Sequence, residues 1–391
     1  PFWALLLLLA VVYLRPADHI PALAPFRLQL LMMVLTAAFL LVQQSLADRP
    51  PKLRHPANGW MLAFLAAGLW ATLPSQGVGY TVKVLSEGLG SSMLLYYLVS
   101  NLVQTGPRLR AVSWALGALC AANVVLAVLA LRAGHNPYAG RLAGVGLLND
   151  PNDLALSLVM VVPLLMALWQ ASRGPAKVGA AGLLAVLVGG ILATGSRGGL
   201  LALLTVLFLA GYRRISAPRW RIVYVVLALA LALGAVHRVF AARGYGLTTM
   251  GRDVSVQGRL AAWKGGLRMM ADHPLRGVGL YQFPEAFLAY RPKDFEFVTL
   301  TAHNSLMLVA GELAWPGLLT FVPLLGTLLV AAERARRQAP SRDEPELRAA
   351  VQLSLLGWLV AAMFLSQSYH VWLYVCAGLV VAADRGQETA R

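Results

Sequence analysis

The sequence predicts an all-α, polytopic helical membrane protein, and three observations carry that prediction. Apolar runs of about twenty residues recur along the chain, the length a helix needs to cross a bilayer core of about 30 Å. Hydrophobic residues make up 58% of the 391 positions and charged residues 13%, too few polar groups to cover a soluble protein of this length. Lysine and arginine in the short loops alternate between many and few along the chain, as the positive-inside rule requires of successive crossings. The alternating pattern of a membrane β-barrel is absent.

Taken in order, the apolar runs predict spans at 1–14, 28–46, 58–74, 84–104, 111–131, 153–171, 178–194, 198–212, 222–237, 303–331, 349–367 and 369–383, about twelve in all. The pairs 178–212 and 349–383 each read equally as a hairpin or as one bent span. Placing the 47–57 loop in the cytoplasm puts Arg108, Arg110, Arg173, Lys177, Arg213, Arg214, Arg334, Arg336 and Arg337 on that side with it. Arg15, Arg27, Lys83, Arg132, Arg141 and Arg197 fall on the other side. Both termini are then expected in the cytoplasm. The chain divides into spans over residues 1–237, one long outward loop over 238–302, and further spans with a cytoplasmic tail over 303–391.

The net charge of +16 lies mostly in short loops, so it sets orientation and does not indicate nucleic acid. Cys120 and Cys376 both sit inside apolar runs, so no disulfide framework is expected. The start, Pro1-Phe2-Trp3, has no basic n-region; no cleavable signal peptide is expected, and the chain is expected to begin inside its first span. No internal repeat is visible, which argues against an inverted-repeat transporter.

Within the long loop, Ser255 to Ala271 predicts a helix whose apolar face is Leu260, Trp263, Leu267 and Met270, capped by Asp253 or Ser255 and closed by Pro274 and Gly277. Such a helix lies on the membrane surface or covers a cavity. No structure can be assigned to 278–301.

Few polar residues could carry chemistry. Arg197 lies in Thr194-Gly195-Ser196-Arg197-Gly198-Gly199 between two apolar runs. An arginine at mid-bilayer costs roughly 2.5–3.5 kcal/mol, so it finds a partner, a ligand or the headgroups. The adjacent glycines expose backbone N–H groups suited to an oxyanion. His303, in Ala302-His303-Asn304-Ser305 at the mouth of a span, can accept a proton near neutral pH or simply cap the helix. Glu312, nine positions on, lies on the opposite helix face, where a structural partner on another helix is expected. Arg259, Arg268, Arg276 and Arg291 read as solvated loop charges when taken singly. Asn149-Asp150-Pro151-Asn152-Asp153 reads as a helix cap with too few oxygens for calcium. Lys83 and Glu87, four apart, are expected to pair.

The ordered set resembles the O-antigen ligase and polymerase superfamily. It comprises the Thr194–Gly199 run, Gly258-Arg259-Leu260 with Trp263, Asp272-His273-Pro274-Leu275 with Gly277-Val278-Gly279, and Ala302–Ser305 with Glu312 and Gly317. The Asn149–Asp153 stretch is similar to that family's Asn-Pro-Asn-Asp segment, with Asp150 in place of the usual small residue. The first 130 residues match only as generic spans. The resemblance implies a GT-C type glycosyltransferase of the bacterial inner membrane, using an undecaprenyl-pyrophosphate-linked glycan on the periplasmic side. In a ligase the acceptor is a hydroxyl of lipid A–core. Arg197 and Arg259 then fall at the motif arginines that bind pyrophosphate, His303 is the general base, and Asn304, Trp263 and Arg276 are supporting residues. No cofactor and no metal are expected. The polymerase and protein O-oligosaccharyltransferase readings share the donor chemistry, and a lipid-linked glycan transporter is the rival from another class.

Overall fold

The structure, a computed structural model, describes residues 1–46, 54–138, 140–144, 146–241, 254–292, 295, 300–339 and 344–385. The described residues form helices α1 (Phe2–Leu14), α2 (Pro16–His19), α3 (Leu28–Leu46), α4 (Pro56–Glu87), α5 (Leu89–Leu102), α6 (Gly106–Arg132), α7 (Pro151–Ala171) and α8 (Gly174–Ala193). They continue with α9 (Arg197–Tyr212), α10 (Pro218–Ala241), α11 (Val254–Asp272), α12 (Phe283–Tyr290), α13 (Ser305–Gln338), α14 (Pro345–Ala362) and α15 (Val371–Arg385). No strand occurs among them. Among the described residues, five stretches are long and apolar enough to cross a membrane: Pro21–Leu46, Gly106–Arg132, Pro151–Ala171, Gly174–Ala193 and Ser305–Gln338. α1 and α9 are shorter apolar helices.

Tertiary contacts resolve both ambiguous pairs as hairpins. Arg348 near the start of α14 donates to the Ala383 carbonyl near the end of α15, at 3.1 Å, so the two helices run antiparallel about a turn at 363–370. Arg213, at the end of α9, donates to Gln352 at 2.6 Å, and it lines a small cavity with Met166 and Gln170 near the end of α7. α8 begins immediately after that end of α7, so α8 starts where α9 finishes.

One end of the bundle is tied by charge. Arg110 pairs with Glu344 at 2.6 Å, Arg334 with Asp384 at 2.7 Å, and Glu333 with Arg336 and Arg337 at 2.7 and 2.6 Å. The His55 ring lies 3.3 Å from Asp384. These are residues that the charge pattern groups together. Glu87 pairs with Arg27 at 3.6 Å, not with Lys83 as the four-residue spacing suggested; a tertiary partner displaces the local one.

The long loop packs onto the opposite end through a break in α13. Ala314 has φ 49°, and Pro316 has no N–H to offer the Glu312 carbonyl. The chain after α11 fills the gap: Val278 N–H donates to the Gly311 carbonyl (3.1 Å), Gly279 N–H to the Glu312 carbonyl (2.9 Å), and Trp315 N–H to the Pro274 carbonyl (3.2 Å). Backbone freed by a kink in a membrane helix must find such partners. Gly277 has φ 66°, and a Cβ there would collide with the Glu312 backbone. The Glu312 carboxylate accepts from Tyr281 and Phe283 N–H, both at 2.9 Å, and so caps the N-terminus of α12.

α11 covers 255–271 as expected, but of its predicted apolar face only Trp263 and Met270 are half-buried. Leu260 and Leu267 are each 49% exposed, whereas Gly258, Ala261, Ala262, Gly265, Gly266 and Met269 face inward. Small residues win because they admit α12 at close range: Phe287 packs over Gly265, and Phe283 over Gly266 and Gly311. The segment left unassigned by sequence thus contains α12. Asp253 lies outside the described residues, as does the Ser255 side chain.

Candidate active site at the α13 mouth

The site is assembled from the first residues of α9 and α13, the first half of α11, and the turn between α14 and α15. His303 adopts the left-handed conformation, φ 47°, which costs a residue with a Cβ roughly 1–3 kcal/mol unless its surroundings enforce it. Here they do. His303 N–H donates to Ser366 Oγ at 2.9 Å, and Thr301 Oγ1 donates to the same oxygen at 2.7 Å. Asn304 caps α13 by accepting from Leu306 and Met307 N–H, and its amide donates to the Met363 carbonyl at 3.1 Å. Ser305 Oγ donates to the Leu365 carbonyl and accepts from Gln367 N–H.

Trp263 connects α11 to this turn: its indole N–H donates to the Ala302 carbonyl at 3.1 Å. Arg259 lies one turn earlier on the same face of α11, which brings its charge against His303. Burial lowers the His303 pKa, the Arg259 guanidinium lowers it further, and Asp150 opposes them. The imidazole is therefore held neutral, with a lone pair available, at neutral pH.

Arg197 is the first residue of α9 and is half-buried. Gly195 makes the turn at φ 58°, and Ser196 Oγ caps the helix by accepting from Gly199 N–H at 3.1 Å. The glycines serve close packing more than anion binding. Gly198 lies against Phe364 and Gly199 against Ala155, while the Gly199 N–H is taken by the cap. The Arg197 and His303 motifs therefore flank one turn, at Met363–Ser366. A guanidinium at a helix N-terminus adds to the positive end of the helix dipole and favours an anion there.

Asn149–Asp153 adjoins the same region. Asp150 Oδ1 caps α7 through Asn152 N–H at 2.6 Å, Arg141 bridges Asn152 and the Thr194 carbonyl, and Gln367 donates to Asp153 at 2.7 Å. No group of three or more His, Cys, Asp or Glu placed to hold a metal occurs among the described residues. Arg276 is not brought in. Its guanidinium stacks 4.8 Å from the Trp70 ring, beyond the far end of α11, which separates Arg259 from Asp272 by roughly 20 Å. Arg268 donates to the Tyr290 carbonyl at 3.3 Å, at the end of α12, and so holds that helix. The Ser366-Gln367-Ser368 turn was not singled out by sequence, although a polar run between two apolar spans is a visible signal.

Fold and site together define a multi-pass helical membrane protein with a histidine and arginines gathered at one end of its bundle. Residues 181–322 match the family described as O-Antigen ligase, a stretch that includes Arg197, Arg259, His303 and Glu312. The match supports the O-antigen ligase and polymerase superfamily read from the motifs. No curated protein matches the chain.

Proposed function

We propose that the protein is an inverting GT-C glycosyltransferase that moves a glycan from undecaprenyl pyrophosphate to a hydroxyl of lipid A–core. It would cross the bacterial inner membrane twelve times, with both termini cytoplasmic and the site on the periplasmic face. The observation that carries the reading is His303, kept neutral by burial and Arg259 in a turn fixed by Ser366 and Trp263.

In the reaction the acceptor oxygen attacks the anomeric carbon, and its proton passes to the His303 imidazole. The bond from that carbon to the pyrophosphate oxygen breaks, and the electron pair leaves with the pyrophosphate. Arg197 and Arg259 neutralise the charge that develops there, a contact that guanidinium makes bidentately and without dependence on pH. Pyrophosphate is a good leaving group, so neutralisation matters more than protonation, and a divalent cation is not required.

The test is transfer by the purified protein from a polyprenyl-pyrophosphate glycan, offered lipid A–core, a second lipid-linked glycan or an acceptor peptide, with and without EDTA. Glycosylated lipid A–core at an undiminished rate in EDTA is expected. A product only on the second lipid-linked glycan makes it a polymerase, and one only on the peptide a protein transferase. Loss with EDTA and recovery with magnesium would overturn the metal-independent mechanism.

A further inference from the structure

A cavity of about 320 Å³ lies between α1, α3 and the α4–α5 junction, within the range of about 300–1,000 Å³ typical of small-molecule sites. Val11, Leu28 and Met33 give it an apolar lining, and Arg15, Asp18, Arg27 and Glu87 give it charge. The charges form two pairs, Arg15 with Asp18 at 3.1 Å and Arg27 with Glu87 at 3.6 Å, and the Arg27 side chain is 68% exposed. Solvated pairs of this kind contribute about 0–1 kcal/mol, so a ligand can exchange with them at little cost.

The mixture of charges narrows the ligand class. Two guanidinium groups supply donors for an anionic substituent, and two carboxylates supply acceptors for hydroxyl groups. A bare phosphate headgroup would gain from the first pair of groups and be opposed by the second. A hydroxyl-rich glycan with an anionic substituent uses both. α3 leaves Leu31, Val34, Leu35 and Phe39 exposed along its length, an apolar track that leads away from the cavity.

The stretch 141–150 links the cavity to the candidate active site. Gly146 packs against Arg15 and Asp18. In the same stretch of chain, Leu142 N–H donates to the Ala193 carbonyl at 2.9 Å, Arg141 donates to the Thr194 carbonyl, and Asp150 acts electrostatically on His303.

We propose that this cavity holds the glycan head of the acceptor, an acylated glycolipid whose head carries hydroxyls and anionic groups and whose chains lie along α3. The assignment rests on the glycosyl-transfer reading and gives its acceptor a site separate from Arg197 and Arg259.

The test uses the full chain in nanodiscs, with lipid A–core as the binding probe and no donor present. Arg27→Ala removes one guanidinium, and Gln29→Trp fills the cavity from another of its lining residues; an unaltered elution volume shows that each variant is folded. Each variant should bind lipid A–core about tenfold more weakly than wild type, with unchanged affinity for a polyprenyl-pyrophosphate glycan. Wild-type affinity for lipid A–core in both folded variants would overturn the site. So would displacement of lipid A–core by phosphatidylglycerol, which would make the cavity a general anionic-lipid site. If the variants lose lipid A–core but the wild type never glycosylates it, the cavity stands as a glycolipid site and the transfer reading falls.

Discussion

In the proposed reaction, His303 and the two arginines divide the chemistry between a group that titrates and groups that do not. General-base catalysis contributes about 10²–10⁴-fold, so His303→Gln should lower transfer by about that factor while donor binding persists. The pH profile gives a second reading. Burial and Arg259 both lower the His303 pKa, so the free base persists below the usual histidine range, and the rate should fall only as pH drops through that lowered value. An unchanged rate and profile in His303→Gln would leave His303 as a positioning residue. Arg197→Ala and Arg259→Ala should each impair transfer strongly, and lysine should rescue poorly because an ammonium cannot replace a bidentate fork. Full activity of Arg259→Ala would remove α11 from the chemistry.

At the scale of elements, the break in α13 holds the long loop in place. The Glu312 carboxylate receives two N–H groups from the start of α12, and the kinked backbone receives two more from 278–279. Glu312→Ala would orphan the Tyr281 and Phe283 donors at about 1–3 kcal/mol for each buried group. The expected result is a lower melting temperature, faster proteolysis between Gly279 and Leu300, and weaker transfer. A protease pattern identical to wild type would show that α12 docks without Glu312. Gly277 belongs to the same arrangement, because φ 66° and contact with the Glu312 backbone leave no room for a side chain.

Over the whole molecule, the charge pattern and the helix packing agree on two ends. Single cysteines at positions 214 and 337 should react with an impermeant reagent only after the inner membrane is permeabilised, whereas one at position 290 should react in intact spheroplasts. Cys120 and Cys376 are buried and would be replaced in the background. Labelling of position 290 only after permeabilisation would reverse the proposed orientation. The sequence by itself determined the helical membrane class, the grouping of basic loops, and the order of the Arg197, Arg259 and His303 motifs. These are legible because apolar length, loop charge and local capping are properties of neighbouring residues. Tertiary structure alone decided that α14 and α15 form a hairpin, that its Ser366 turn grips His303, that Arg276 stands apart, and which face of α11 is buried. The periodicity of Leu260, Trp263, Leu267 and Met270 weighs side-chain size, but the burial of α11 was settled by how closely Phe283 and Phe287 approach its glycines. Such contacts depend on residues distant in the chain, and no local pattern records them.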